Sequence, residues 1–188
     1  MNIFVGSASR STEVEVYNKL AVDIGNYIVA GKHNYIFGGC NKGLMGVIYQ
    51  VVKDSPDTNV ISSSVEAYKE DALLLHDENP NISISVAQTV NERKNNIAKK
   101  ADVIIIIPGG IGTLDELFSF IESKRAGEHE APIFIVNING YYDSLLKMLE
   151  TVYDGKFASE ANRDLYKVCY SFEGLKCQLD ELQKEHRL

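Results

Sequence analysis

Hydrophobic residues along this chain fall into short unbroken runs and into longer stretches with helical spacing, and the two patterns take turns. Asn2–Gly6 is a short apolar run that ends at a Gly-Ser turn, which predicts a strand. Glu13–Ala30 places Val16, Leu20, Ile24, Tyr27 and Ile28 on one face at helical spacing, as in an amphipathic helix. Tyr35–Phe37 predicts a second strand, stopped by Gly38 and Gly39, and Leu44–Val52 returns to helical spacing. Asn59–Ser63 and Ile82–Val86 predict two further strands, with a polar stretch of no clear period between them. Thr89–Lys100 predicts a polar helix. Its Thr89 and Glu92 have the spacing of a capping box. Val103–Ile107 is a run of five β-branched residues, so neither face can be wet, which predicts a central parallel strand covered on both sides. After it come a helix over Leu114–Lys124, a strand over Pro132–Asn137, and a helix from Tyr142 to about Val152. A strand near Val168–Ser171 and a charged helix from Glu173 to the end complete the pattern.

Strands alternating with helices predict an α/β fold: a Rossmann-like, doubly wound parallel sheet with right-handed crossovers, flanked by helices. No linker or repeat interrupts the 188 residues, so residues 1–188 are expected to form a single domain. A net charge of −7 argues against a general nucleic-acid binder. It leaves room for an anionic ligand, which needs only local donors. The three cysteines, Cys40, Cys169 and Cys177, are an odd count with no C-x-x-C pair, as expected in a reducing compartment. The histidines, His33, His76, His129 and His186, are scattered and suggest no metal site. The first residues do not read as a signal peptide, and no apolar run approaches a membrane span of roughly 20 residues. A cytoplasmic location and no membrane partner are expected.

Ligands of such sheets sit beyond the carboxyl ends of the strands, and three segments lie there. Gly38-Gly39-Cys40-Asn41-Lys42-Gly43 leads into a helix, so Gly39 and Gly43 are candidates for close backbone approach to a ligand. It lacks the lysine of a P-loop and reads equally well as a tight turn. Pro108-Gly109-Gly110-Ile111-Gly112-Thr113 follows the run of β-branched residues. Its exposed amides and the Thr113 hydroxyl suit a phosphate monoester, and the competing reading is a glycine-rich turn with Thr113 as N-cap. In Thr89-Val90-Asn91-Glu92-Arg93-Lys94, two cations fall near the positive end of a helix, where the macrodipole disfavours them unless something anionic is close. A solvated charged turn would look the same. Thr113-Leu114-Asp115-Glu116 also has capping-box spacing, so Glu116 reads either as a cap or as a catalyst.

Taken in order, these segments resemble the Lonely Guy family, formerly labelled lysine decarboxylase-like. Its signature P-G-G-x-G-T-x-x-E is matched by Pro108 to Glu116. Its upstream G-G-G-x-x-G-L-M-G is approximated by Gly38 to Gly46, its M-H-x-R-K by Val90 to Lys94, and its N-x-x-G-Y-Y by Asn137 to Tyr142. The resemblance implies hydrolysis of a nucleoside 5′-monophosphate, such as a cytokinin riboside monophosphate or AMP, to free base and ribose 5-phosphate. It implies that Arg93 and Glu116 are catalytic. Gly39, Gly43, Lys94, Gly109, Gly110, Gly112 and Thr113 would bind substrate or its phosphate. It also implies a homodimer. The chain departs from the family pattern at Val90-Asn91, which border the base in the family, at Cys40, and at Gly6-Ser7-Ala8-Ser9, where C-G-S-S is usual.

On this reading an ionised Glu116 stabilises positive charge on the ribose and orients or deprotonates water. Arg93 holds the substrate or the departing base, and no metal or cofactor is required. The rival is a non-catalytic carrier of a nucleotide or of the molybdenum cofactor, because such carriers share a similar glycine loop. A lysine decarboxylase would normally need pyridoxal phosphate on an active-site lysine, and no lysine is singled out for it. A dinucleotide-dependent dehydrogenase would need the G-x-G-x-x-G turn, which is absent.

Overall fold

The computed structural model describes residues 1–78 and 82–185. Its strands are β1 (Asn2–Gly6), β2 (Asn34–Phe37), β3 (Val60–Val65), β4 (Ile82–Ala87), β5 (Val103–Ile106), β6 (Ile133–Val136) and β7 (Lys167–Cys169). They form one parallel sheet in the order β4-β3-β2-β1-β5-β6-β7. The helices are α1 (Glu15–Ala30), α2 (Gly43–Val52), α3 (Lys69–Glu78), α4 (Val90–Lys100), α5 (Ile111–Arg125), α6 (Asp143–Asp154) and α7 (Phe172–Glu185). The end of the charged helix expected from Glu173 lies outside the described residues.

Alternation along the strands sorts the core into two layers, because successive side chains leave opposite faces of a sheet. Ile3 and Val5 of β1, with Ile105 of β5, pack beneath Leu20, Ile24 and Ile28 of α1, Leu44 and Ile48 of α2, and Leu175 of α7. Phe4, Ile104 and Ile106 face the other way, against Ile97 of α4 and Leu117 and Phe120 of α5. Every residue of β5 is buried, as its unbroken β-branched run requires. Among the described residues no helix is long and apolar enough to cross a membrane.

Two stretches differ from what periodicity suggests. The polar segment after β3 holds a 3-10 turn at Glu66–Tyr68 and then α3. In α3, Ala72 and Leu75 turn inward while Leu73 and Leu74 are exposed, so no regular apolar stripe announces the helix. The helix after β5 begins at Ile111, three residues earlier than its apolar spacing indicates, with Gly110 as its N-cap in extended geometry.

The sheet order reverses direction at β1. From β1 the chain winds outward through β2, β3 and β4, then crosses back to lay β5 on the other edge of β1. The carboxyl ends of β1 and β5 are therefore the switch point, where such folds place a ligand crevice. The loops that leave these strands are tied by the Ala8 N–H donating to the Pro108 carbonyl at 3.2 Å.

Candidate active site at the switch point

The start of α5 removes the capping reading of Glu116. With Gly110 as N-cap, Thr113 lies inside the first turn and Glu116 in the second, so neither caps the helix. Gly110 carries no side-chain acceptor, and the first N–H groups of a helix have no partner within it. The mouth of α5 therefore presents bare amides beside β5. A Cβ placed on Gly110 or Gly112 would meet nothing within 4 Å. Packing within the chain does not demand glycine at either position. What the missing side chains provide is open access to those amides. Gly109 is different: a Cβ there would stand 2.1 Å from Thr113 Oγ1, so it lets the turn close over Thr113. The turn is braced from behind, where Tyr141 donates to the Gly109 carbonyl at 2.6 Å and Tyr142 to the Ile107 carbonyl at 2.8 Å. Asn137 holds this support in place. Its Oδ1 accepts from the Tyr142 backbone N–H at 2.7 Å and its Nδ2 donates to Asp143 at 2.7 Å.

Glu116 is 6% exposed, and its Oε1 accepts from Arg93 Nη2 at 2.7 Å. Arg93 sits one turn into α4, whose start is fixed by Thr89 accepting from the Glu92 N–H at 3.1 Å and Glu92 accepting from the Gln88 N–H at 2.8 Å. Its Nε donates to the Ser63 carbonyl near the end of β3 at 2.8 Å. One guanidinium thus ties a strand end to the carboxylate, a use of the planar fork that lysine could not reproduce. Burial pushes the Glu116 carboxyl above the ordinary glutamate range, and Arg93 offsets only part of that rise. A carboxylate tuned upward is a stronger base at neutral pH.

Two glycines that the sequence does not single out make room for this pair. A Cβ on Gly6, the last residue of β1, would stand 3.0 Å from Glu116 Oε2 and 2.8 Å from Ile106 Cδ1. A Cβ on Gly38, just past β2, would stand 3.1 Å from Arg93 Nη2. Their places at the ends of β1 and β2, inside the segments that resemble family motifs, are the signal that could have marked them.

Gly39, Gly43 and Lys94, also expected at the site, are engaged in contacts of their own. Gly43 has φ +62°, and a Cβ there would lie 2.5 Å from the Ala8 carbonyl oxygen and 2.6 Å from that of Arg10. Gly39, with φ +81°, packs against Ser62 in β3. Both glycines are needed by the turn itself, which draws the β1 and β2 loops together. Lys94 is 6% exposed, and its Nζ is 2.8 Å from each Asp115 carboxylate oxygen and from Ser119 Oγ. Its three N–H donors are used there, in a link between α4 and α5.

A parallel sheet in this order, with its switch point between β1 and β5, defines a Rossmann-like α/β protein. Residues 41–179 match the family described as "Possible lysine decarboxylase". The chain is 29% identical over 184 residues to the cytokinin riboside 5′-monophosphate phosphoribohydrolase LOG3 of Arabidopsis thaliana, covering 98% of this chain and 83% of that protein. It is 30% identical over 182 residues to a probable cytokinin riboside 5′-monophosphate phosphoribohydrolase of Oryza sativa subsp. japonica, LOG4, covering 95% of this chain and 76% of that one. The chain belongs to this Lonely Guy, or lysine decarboxylase-like, family. Among solved structures, the molybdenum cofactor carrier protein of Chlamydomonas reinhardtii superposes with a TM-score of 0.66 at 17% identity, over 97% of this chain and 98% of that one. The molybdenum cofactor binding protein of Rippkaea orientalis gives 0.65 at 19% identity, over 96% and 95%. At such low identity the likeness is one of fold.

Proposed function

We propose that the crevice binds a nucleoside 5′-monophosphate and hydrolyses its N-glycosidic bond, releasing free base and ribose 5-phosphate. The observation that carries this reading is the placement of Glu116. It is a buried carboxylate that caps nothing, lies beside the end of β1 and is held by Arg93. The names of the relatives favour a cytokinin riboside monophosphate as substrate, and AMP offers the same phosphate, ribose and purine.

The 5′-phosphate would sit on the amides of Gly110, Ile111 and Gly112 at the mouth of α5, where the helix dipole favours an anion. Binding energy gained at the phosphate is spent on position, setting the anomeric carbon near Glu116. As the C1′–N bond breaks, its electron pair leaves with the base and positive charge grows over C1′ and the ring oxygen. The Glu116 carboxylate stabilises that charge and takes the proton of the water whose oxygen bonds to C1′. The raised carboxyl suits it to that proton transfer. Arg93 orients the carboxylate through its anchor on the Ser63 carbonyl and stands ready to donate to the departing base. The same reading carries a homodimer, which sedimentation would test, and a cytoplasmic location in keeping with the free thiols of Cys40, Cys169 and Cys177.

The test is to incubate the protein with a panel of purine, cytokinin and pyrimidine nucleoside monophosphates and to measure free base and ribose 5-phosphate. Glu116→Gln serves as control: its amide oxygen still accepts from Arg93, so the fold survives while turnover falls about 100-fold or more. Near-normal hydrolysis by that variant would remove Glu116 from the chemistry. Tight nucleotide binding with no base released by the natural protein would mark a carrier.

A further inference from the structure

Arg93 and Lys94 are adjacent on α4, and Asp115 and Glu116 are adjacent on α5. They pair in register: Arg93 with Glu116 at 2.7 Å, and Lys94 with Asp115 at 2.8 Å. Their settings differ. The first pair is largely enclosed, with 14% of the Arg93 side chain and 8% of the Glu116 side chain exposed, and lies at the switch point. In the second, Lys94 has 7% of its side chain exposed and Asp115 has 48%. Lys94 and Asp115 line a groove on the flank between the two helices, together with Asn91, Phe118 and Ser119. A lysine this buried is costly unless its charge is paired and all its donors are used, and here both conditions hold.

We propose that Lys94 is a positioning residue: bolted to Asp115 and Ser119, it fixes α4 against α5 so that Arg93 meets Glu116, and its charge balances that of Asp115 beside the pair. The assignment rests on the proposed function only in naming the reaction it serves. The bolt itself is a matter of geometry. Among the described residues, the ionisable groups that bear on Glu116 come from four segments. Arg93 and Lys94 approach from α4, and Asp115 precedes Glu116 on its own helix. The phenols of Tyr35 in β2 and Tyr142 after β6 are both kept neutral by burial. Of these, Asp115 favours the protonated carboxyl, while Arg93 and Lys94 favour the ionised one. Removing Lys94 therefore leaves Asp115 unopposed and raises the pH at which Glu116 ionises. Removing the charge of Asp115 leaves Lys94 unopposed and lowers it.

The decisive measurement is the titration of the Glu116 carboxyl carbon by NMR, which does not depend on catalysis, alongside the pH profile of kcat/KM. Lys94→Met should move the midpoint up by about half a pH unit and Asp115→Asn should move it down by a similar amount. The double variant should lie near the natural protein, and Lys94→Arg, which keeps the charge and the link, should restore most of the activity. Equal shifts in one direction, or no shift in either variant, would overturn the proposal. Asp115→Asn alone decides the matter if Lys94→Met does not fold, since an unmoved or raised midpoint is then fatal. If no nucleoside monophosphate is hydrolysed, the proposed reaction fails while the opposed shifts still stand or fall by NMR.

Discussion

Glu116 Oε2 lies 3.0 Å from the point where a β-carbon on Gly6 would stand, so the end of β1 and the second turn of α5 meet closely where residue 6 has no side chain. The same added carbon would press on Ile106 at 2.8 Å and Phe4 at 3.3 Å. Gly6→Ala should therefore cost about 1–3 kcal/mol of stability through overpacking, and displace the carboxylate enough to reduce turnover more than nucleotide affinity. Denaturant unfolding and steady-state kinetics on one preparation test this. A variant with natural kcat would show that the close fit is unimportant to the site.

Gly112→Ala should behave in the opposite way. The position is helical and nothing lies within 4 Å of the new carbon, so stability should hold or rise by up to about 1 kcal/mol. A methyl group at the mouth of α5 would nonetheless obstruct an anion, and affinity for ribose 5-phosphate should fall about tenfold. Calorimetric titration with ribose 5-phosphate, read against the melting temperature, separates the two effects. Unchanged affinity would move the anion seat elsewhere.

Tyr141→Phe removes the hydroxyl that braces the Gly109 carbonyl and leaves the ring in its edge contact with Tyr17, 5.7 Å between centroids. Loss of one such bond should cost about 1 kcal/mol. Because the turn it supports would hold the phosphate, KM should rise while kcat changes little. A fall in kcat at constant KM would contradict the bracing role.

Arg93→Ala strands a buried carboxylate and frees the Ser63 carbonyl, so stability should drop by about 3 kcal/mol. Arginine lowers the tendency of Glu116 to hold its proton, so its removal raises the ionisation midpoint further. The acidic limb of kcat/KM, which needs the ionised form, should accordingly shift to higher pH. A limb that stays in place would mean another group governs it.

The features that sequence reveals here are those with a local cause. Val103–Ile107 declares a doubly covered strand because no residue in it tolerates water, and Thr89 with Glu92 declares a helix start because both bonds lie within four residues. The same local spacing misleads at Thr113–Glu116, where Gly110 takes over as N-cap and frees the glutamate to reach Arg93. Spacing within one helix cannot show which residue of another helix it will meet. Lys94 and Asp115 are 21 residues apart, and their link exists only once α4 and α5 lie side by side. Nor does α3 give a signal, since only Ala72 and Leu75 face the sheet among four successive residues.

The position of β1 also sets an order of events during synthesis. Its partner on one side, β2, emerges about thirty residues later, but its partner on the other, β5, pairs Ile3 with Val103 and so comes from the far half of the chain. Until that segment leaves the ribosome, β1 in the nascent protein has one edge of unpaired backbone N–H and C=O groups beside the apolar Ile3, Phe4 and Val5, the kind of surface that recruits chaperones or neighbouring chains. Closing that edge and completing the Arg93–Glu116 pair both wait for the chain beyond residue 102, so a ligand held at this crevice would report that translation had passed that point and the edge was sealed.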